Sequence, residues 1–210
     1  ICTHSMHDPL RMDPALRATR FQRLSEILAL ADEFGAAGVV SVPVRRPDTF
    51  PGERSVSGDP YEIAADMIGT WAATLPGGNC QLFLEPLNRY EASFMNRVEQ
   101  AVDLANRVNH PRVVALADLF HMNIEESSMA KPLIDAGPLL RHIHIADNNR
   151  RLPGDGCLTF AIPFAALNQA GYQGWLALEC NPPGGSRNSP GADAAYTEAA
   201  TFIRNAWAGL

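Results

Sequence analysis

Four residues able to bind a cation or move a proton occupy equivalent places in short apolar runs. Glu85 ends Leu82-Phe83-Leu84, and Asp118 ends Val113-Val114-Ala115-Leu116-Ala117. His144 sits in His142-Ile143-His144-Ile145, and Glu179 ends Leu176-Ala177-Leu178. Nearly continuous hydrophobic runs of this length are the mark of parallel strands covered on both faces. Each polar residue therefore falls near the C-terminal end of a different strand, and in a barrel those ends converge on one mouth where catalytic groups collect. A single carboxylate at a strand end is ordinarily a helix cap or a solvated residue. Four metal-binding side chains in successive units are a pattern that capping does not account for. Three carboxylates in one cavity repel one another unless a cation neutralises them. Three carboxylates and one imidazole form an oxygen-rich, thiolate-free set that favours Mn²⁺, Mg²⁺ or Co²⁺ over structural zinc. Cys180, adjacent to Glu179, is expected to point to the opposite strand face.

Further polar residues follow these four in loops above the same mouth. Glu91 lies in Glu85-Pro-Leu-Asn-Arg-Tyr-Glu91, His121 in Asp118-Leu-Phe-His121, and Arg150 in His144-Ile-Ala-Asp-Asn-Asn-Arg150. Loops on a rigid scaffold are where binding groups are carried, so these three are expected to hold a substrate. Arg89 and Arg151 are as readily explained as partners of surface acids. His142 is read as turned away from His144 and used in packing, and His110, before Pro111, as a surface residue. His4 and His7 follow the first expected strand.

The elements that must position these residues alternate regularly. Strands are expected at Ile1–Ser5, Gly38–Pro43, Gln81–Pro86, Val113–Asp118, His142–Asp147 and Trp175–Cys180. Helical apolar spacing runs from Phe21 to Phe34, stopping at Gly35, and from Val98 to Val108. A further helix opens at Pro163 and closes at Gly171, and the last spans Ala192 to Trp207. Strand then helix, repeated about every 30 residues, is the rhythm of a parallel α/β protein. No GxGxxG or GxxxxGK[ST] loop follows any strand, which disfavours a nucleotide-binding doubly wound sheet. The expected fold is a single (β/α)8 TIM barrel domain over residues 1–210. Such barrels hold eight strands in about 250 residues, so this chain is expected to lack the first two βα units. A six-unit open sheet is the alternative.

Composition sets the remaining bounds. The 210 residues are 46% hydrophobic, with a net charge of −6. That balance argues against a general nucleic-acid binder. No apolar run reaches membrane-span length and no secretory signal is visible, so no membrane partner is expected. The four cysteines have no zinc or redox spacing. Cys2, Cys80 and Cys180 are expected in or beside buried strands, reduced, in a cytoplasmic protein. Lys131 is the only lysine, and it lies in a helical region away from strand ends, which disfavours Schiff-base chemistry. The oligomeric state stays open, a homo-oligomer among the options.

The segments LNRYE, DLFHMNIEE and HIHIADNNRRLPGDG resemble the ketose 3-epimerases of the D-tagatose and D-allulose type, within the xylose-isomerase-like sugar isomerase/epimerase barrels. The resemblance runs from about Gln81 to Cys180, and DLFHMNIEE is its most specific piece. It implies that Glu85, Asp118, His144 and Glu179 are the metal ligands, with Mn²⁺ the expected ion. It implies that Glu85 and Glu179 also transfer protons, and that Glu91, His121 and Arg150 hold the sugar's oxygens. Asp147-Asn148-Asn149 departs from these epimerases and leans toward sugar-phosphate isomerase relatives. The expected substrate is a small sugar, epimerised at C3 through an enediolate, and no phosphate cradle is visible. The competing enzymes are a hydroxypyruvate-type aldose–ketose isomerase and an inosose dehydratase. A sugar-binding module with a vestigial site is the non-enzyme alternative.

Overall fold

A computed structural model describes residues 1–2, 9–10, 13–43 and 59–209. The chain divides into two compact units, Ile1–Leu116 and Ala117–Leu210.

The first unit begins with α1 (Pro14–Glu33), where Asp13 accepts from the backbone N–H of Ala15 at 2.8 Å and Pro14 opens the first turn. A proline there forfeits no helix hydrogen bond, so the helix starts earlier than the apolar stripe beginning at Phe21. Next come β1 (Gly38–Ser41), α2 (Pro60–Ala72), β2 (Gln81–Leu84) and α3 (Val98–Val108). The α2 helix was not anticipated, although Asp59-Pro60 supplies the same cap-and-proline start as Asp13-Pro14. The α3 helix opens with the Gln100 side chain accepting from the N–H of Arg97 at 2.9 Å and closes at Asn109 in the left-handed region. β3 (Val113–Asp118) runs across the division between the units.

Here β1 pairs in parallel with β2, and β2 with β3. All of β1 and β3 is buried, as are Leu82, Phe83 and Leu84 of β2. The helices bury Leu24, Leu28, Ile68, Ala101 and Leu104. Glycine at 38 has a steric reason, since a Cβ there would meet the Phe83 ring at 2.2 Å.

The second unit carries α4 (Leu119–Glu125), α5 (Lys131–Ala136), β4 (Leu140–Ile145), α6 (Ala161–Gln169), β5 (Trp175–Leu178) and α7 (Ala192–Ala208). β4 and β5 are parallel, with His144 opposite Ala177. Phe164, fully buried on α6, packs with tilted rings against Phe160 and Trp207, with centroids at 5.7 and 5.4 Å. The α6 helix starts at Ala161, so Pro163 lies within its first turn instead of opening it.

The strand order is β1-β2-β3-β4-β5. A doubly wound sheet reverses its order at a switch point, and this one never does, as expected for barrel-type βα succession. The strands expected near 38, 81, 113, 142 and 175 are all present. Most of the expected strand at Ile1–Ser5, with His4 and with the nearby His7, lies outside the described residues. Ile1 itself hydrogen-bonds alongside β1, its amino group donating to Gly38 and its carbonyl accepting from Val40, both at 2.8 Å. The cysteine expectation needs correction. Of Cys2, Cys80 and Cys180 only Cys80 is buried, Cys180 being half-buried and Cys2 exposed, because strand ends leave flanking residues open to solvent. Lys131 opens α5 and pairs with Asp135 on the next turn. Among the described residues, no helix is long and apolar enough to cross a membrane.

The first unit is latched by a partly buried ion pair. Arg112 donates to Asp32 at 2.7 Å, and also to the carbonyls of Cys80 and Pro76. Asp32 accepts in turn from the backbone N–H groups of Asn79 and Cys80. Partial burial opposes ionisation of Asp32. The N–H groups of Cys80 and Asn79 and the charge of Arg112 outweigh it and hold the carboxyl below its ordinary 3.8. Asp32→Ala is expected to cost about 2 kcal/mol of unfolding free energy at neutral pH, the usual scale for stranding buried polar partners. A lowered folded pKa gives stability that is full above 3.8 and fades as pH falls through the lower value. The gap between wild type and variant in urea denaturation should therefore narrow below pH 3.8.

Candidate active site

The four strand-end residues stand where the apolar runs stop. Glu85 follows β2 directly, Asp118 is the last residue of β3, His144 is the next-to-last residue of β4, and Glu179 follows β5. Glu85, Asp118 and His144 are buried, and Glu179 is partly exposed. Within the second unit, Asp118, His144 and Glu179 each offer one ligand-type atom, and these atoms all lie within 4.8 Å of one another.

In the second unit the local geometry is tightly specified. Asp118 uses its two oxygens differently. One caps α4 by accepting from the N–H of Phe120 at 2.8 Å, and the other accepts from the Arg150 guanidinium at 2.6 Å. The cap fixes the rotamer, so the free oxygen is aimed by the helix start itself. Arg150 also donates to Glu179 at 2.6 Å, and His144 Nδ1 lies 3.0 Å from the same Glu179 oxygen. His121, buried on α4, places Nε2 3.5 Å from Asp118. The Arg150 guanidinium lies over the Phe120 ring, 4.6 Å from its centroid, a favourable cation–π distance.

Electrostatics follow from these contacts. Burial by itself would raise the Glu179 carboxyl, but the hydrogen bond and charge of His144, with Arg150 and Asp118, bring it down to about 2. Burial is the main reason that the Cys180 thiol is pushed up to about 11. Cys180 is thus a poor thiolate at neutral pH, and the donor set remains oxygen-rich. One guanidinium faces the Asp118 and Glu179 carboxylates and leaves negative charge over. The residues present therefore fit a divalent cation.

The expected substrate-holding residues divide between the units. His121 and Arg150 are in the network just described. Glu91, half-buried in the first unit, accepts from the side chain of buried Asn88 at 3.0 Å. The reading of His142 is corrected. Its ring meets that of His144 edge-on at 5.1 Å, because residues two apart on a strand share a face. Burial, then the charge of His144, lowers His142 to about 4, so it stays neutral. Sequence reasoning missed Phe120, whose only signal was its place inside DLFHMNIEE. It also missed Asp147, a buried carboxylate three residues after His144.

Comparison with known proteins agrees with the fold. The family described as "Xylose isomerase-like TIM barrel" matches residues 1–206. The 3-dehydro-D-guloside 4-epimerase of Escherichia coli is 34% identical over 173 residues, covering 78% of this chain and 64% of that protein. The D-psicose 3-epimerase of Enterocloster bolteae is 41% identical over 98 residues, covering 47% of this chain and 33% of that protein. The chain thus spans less than two thirds of the length of either relative. The crystal structure of 3-keto-D-glucoside 4-epimerase from E. coli aligns with a TM-score of 0.79 and 27% identity, over 97% of this chain and 77% of that one.

The Glu179 environment predicts an acid-labile contribution to stability. Its folded pKa of about 2 lies below the ordinary 4.5, so the stabilisation is full above 4.5 and is lost as pH falls toward 2. In chelator-treated protein, the urea midpoint of Glu179→Gln should fall less steeply than that of wild type across that interval.

Proposed function

Because the chain belongs to the xylose isomerase-like TIM barrel family, we propose that it is a divalent-metal-dependent sugar epimerase that inverts a carbon beside a ketone, C3 of a ketose. The observation that carries this reading is the grouping of Asp118, His144 and Glu179 within 4.8 Å. These three, joined in this reading by Glu85 at the end of β2, would hold the cation, Mn²⁺ with Mg²⁺ or Co²⁺ as substitutes, and when bound it supplies Lewis-acid polarisation of the substrate carbonyl.

The chain's own groups do the rest. Epimerisation removes the proton from the carbon beside the carbonyl and returns one to the other face. That requires two groups able to exchange the roles of acid and base. Glu85 and Glu179 come from different strands and take these roles. Glu179 is held ionised by His144 and Arg150 and so starts as an acceptor. Arg150 and His121 supply donors for the sugar's oxygens. Glu91, steadied by Asn88, supplies an acceptor for a hydroxyl. The negative charge left by abstraction spreads onto the carbonyl oxygen as an enediolate, and donors aimed at that oxygen favour it over the starting ketone.

A second reading, epimerisation at C4 of a 3-keto glycoside, is favoured by the E. coli relative that matches 78% of the chain. Both substrates present a proton on a carbon next to a ketone, so the same residues serve either. A cytoplasmic setting is part of this proposal and rests on four cysteines without zinc or redox spacing.

Incubation with D-allulose or a 3-keto glucoside and Mn²⁺, followed by product analysis, tests the reading. A new epimer is expected. A new aldehyde or loss of water would replace this reading with an isomerase or a dehydratase. Glu85→Gln and Glu179→Gln should each lower turnover by about 10²–10⁴-fold and stop deuterium uptake from solvent into the sugar. Wild-type exchange in both variants would overturn their roles. Chelation should abolish turnover and Mn²⁺ restore it.

A further inference from the structure

Asp147 has no part in the proposed proton transfer or in holding the cation, yet it is 1% exposed, two residues past the end of β4. Its carboxylate is saturated by backbone. One oxygen accepts from the N–H groups of Asn148 at 2.8 Å and Leu158 at 2.9 Å, and the other from Gly154 at 3.0 Å. A single side chain thus ties the start of loop 147–158 to its far end. The backbone of Asp147 closes a tighter ring inside it. Its N–H donates to Arg151 at 3.0 Å, and its carbonyl accepts from Arg150 at 2.9 Å. The neighbouring side chains pin the same loop. Asn148 accepts from the N–H of Cys157, and Asn149 donates to the carbonyl of Asp155.

Two backbone features show how closely the loop is fitted. Arg150 has φ of 63°, a left-handed conformation that a branched or long side chain adopts only when its surroundings impose it. Gly156 packs against the hub itself, since a Cβ there would lie 2.1 Å from the Asp147 oxygen and 2.5 Å from that of Asn148. The result is a guanidinium delivered to Asp118 and Glu179 at 2.6 Å each.

We infer that Asp147 is a positioning residue, whose buried carboxylate folds loop 147–158 so that Arg150 is presented to Asp118 and Glu179 and to the substrate oxygens they face. The identity of that substrate rests on the epimerase reading. The placement of the guanidinium does not. An aspartate is suited to the post because all three of its partners are N–H donors. An asparagine would turn its own N–H₂ toward one of them.

Two variants attack the hub from opposite sides. Asp147→Asn removes an acceptor, and Gly156→Ala keeps every polar group but pushes the carboxylate aside. In Mn²⁺-saturated protein, phenylglyoxal labelling of Arg150 is read by mass spectrometry against exposed Arg151 as internal reference. Both variants should raise the Arg150 to Arg151 labelling ratio several-fold. They should also raise KM for D-allulose about tenfold while kcat changes less, as expected for a displaced binding group. Lowered thermal stability with an unchanged labelling ratio in both variants would reduce Asp147 to a purely structural residue and overturn the inference. Failure of the wild-type protein to epimerise D-allulose would count against the substrate reading instead, and the labelling ratio would still decide the role of Asp147.

Discussion

Uncompensated negative charge is the constraint around which this molecule is arranged. Asp118 and Glu179 sit at the ends of apolar strands beside His144, with ligand-type atoms all within 4.8 Å. Carboxylates gathered in a low-dielectric site raise one another's free energy, and each loses hydration as it is buried. Such an arrangement persists only with positive charge nearby. Arg150 supplies part of it, bonded to both Asp118 and Glu179 at 2.6 Å. The remainder is what a divalent cation provides, so the chemistry proposed for the site and the electrostatics that hold it together have the same origin.

Economy of side-chain use follows from that constraint. Asp118 spends one oxygen capping α4 and the other on Arg150, so the start of a helix aims a charged group. Phe120, one residue into the same helix, lies under the Arg150 guanidinium. Asp147 organises the loop that brings Arg150 there. The site is thus built on element ends and held by groups that do not react, which is how a rigid scaffold keeps loop-borne residues in place.

The parts of the fold legible in the sequence were those with strong periodicity. Val113–Ala117 and Leu82–Leu84 read as buried strands because both faces of each are covered. The α3 stripe from Val98 to Val108 matched the helix to the residue. What was missed lay where local chemistry, not periodicity, sets the boundary. The α1 and α2 helices begin at Asp-Pro pairs ahead of, or without, a clear stripe. His142 differs from its expected orientation, because the two-residue period of the strand puts it on the face of His144.

Sequence alone determined the chemical types and their placement at strand ends, because a polar residue closing a buried apolar run leaves a local mark that needs no neighbours to be read. It likewise determined the βα rhythm, since each strand and helix carries its own hydrophobic pattern. Only the tertiary structure decided which partners those residues meet. The Arg150 bridge joins residues 29 and 32 positions away, and the Arg112–Asp32 latch spans 80. Separations of that size have no signature in a run of amino acids, because they arise from how the elements pack and from how a loop such as 147–158 is tied at both ends.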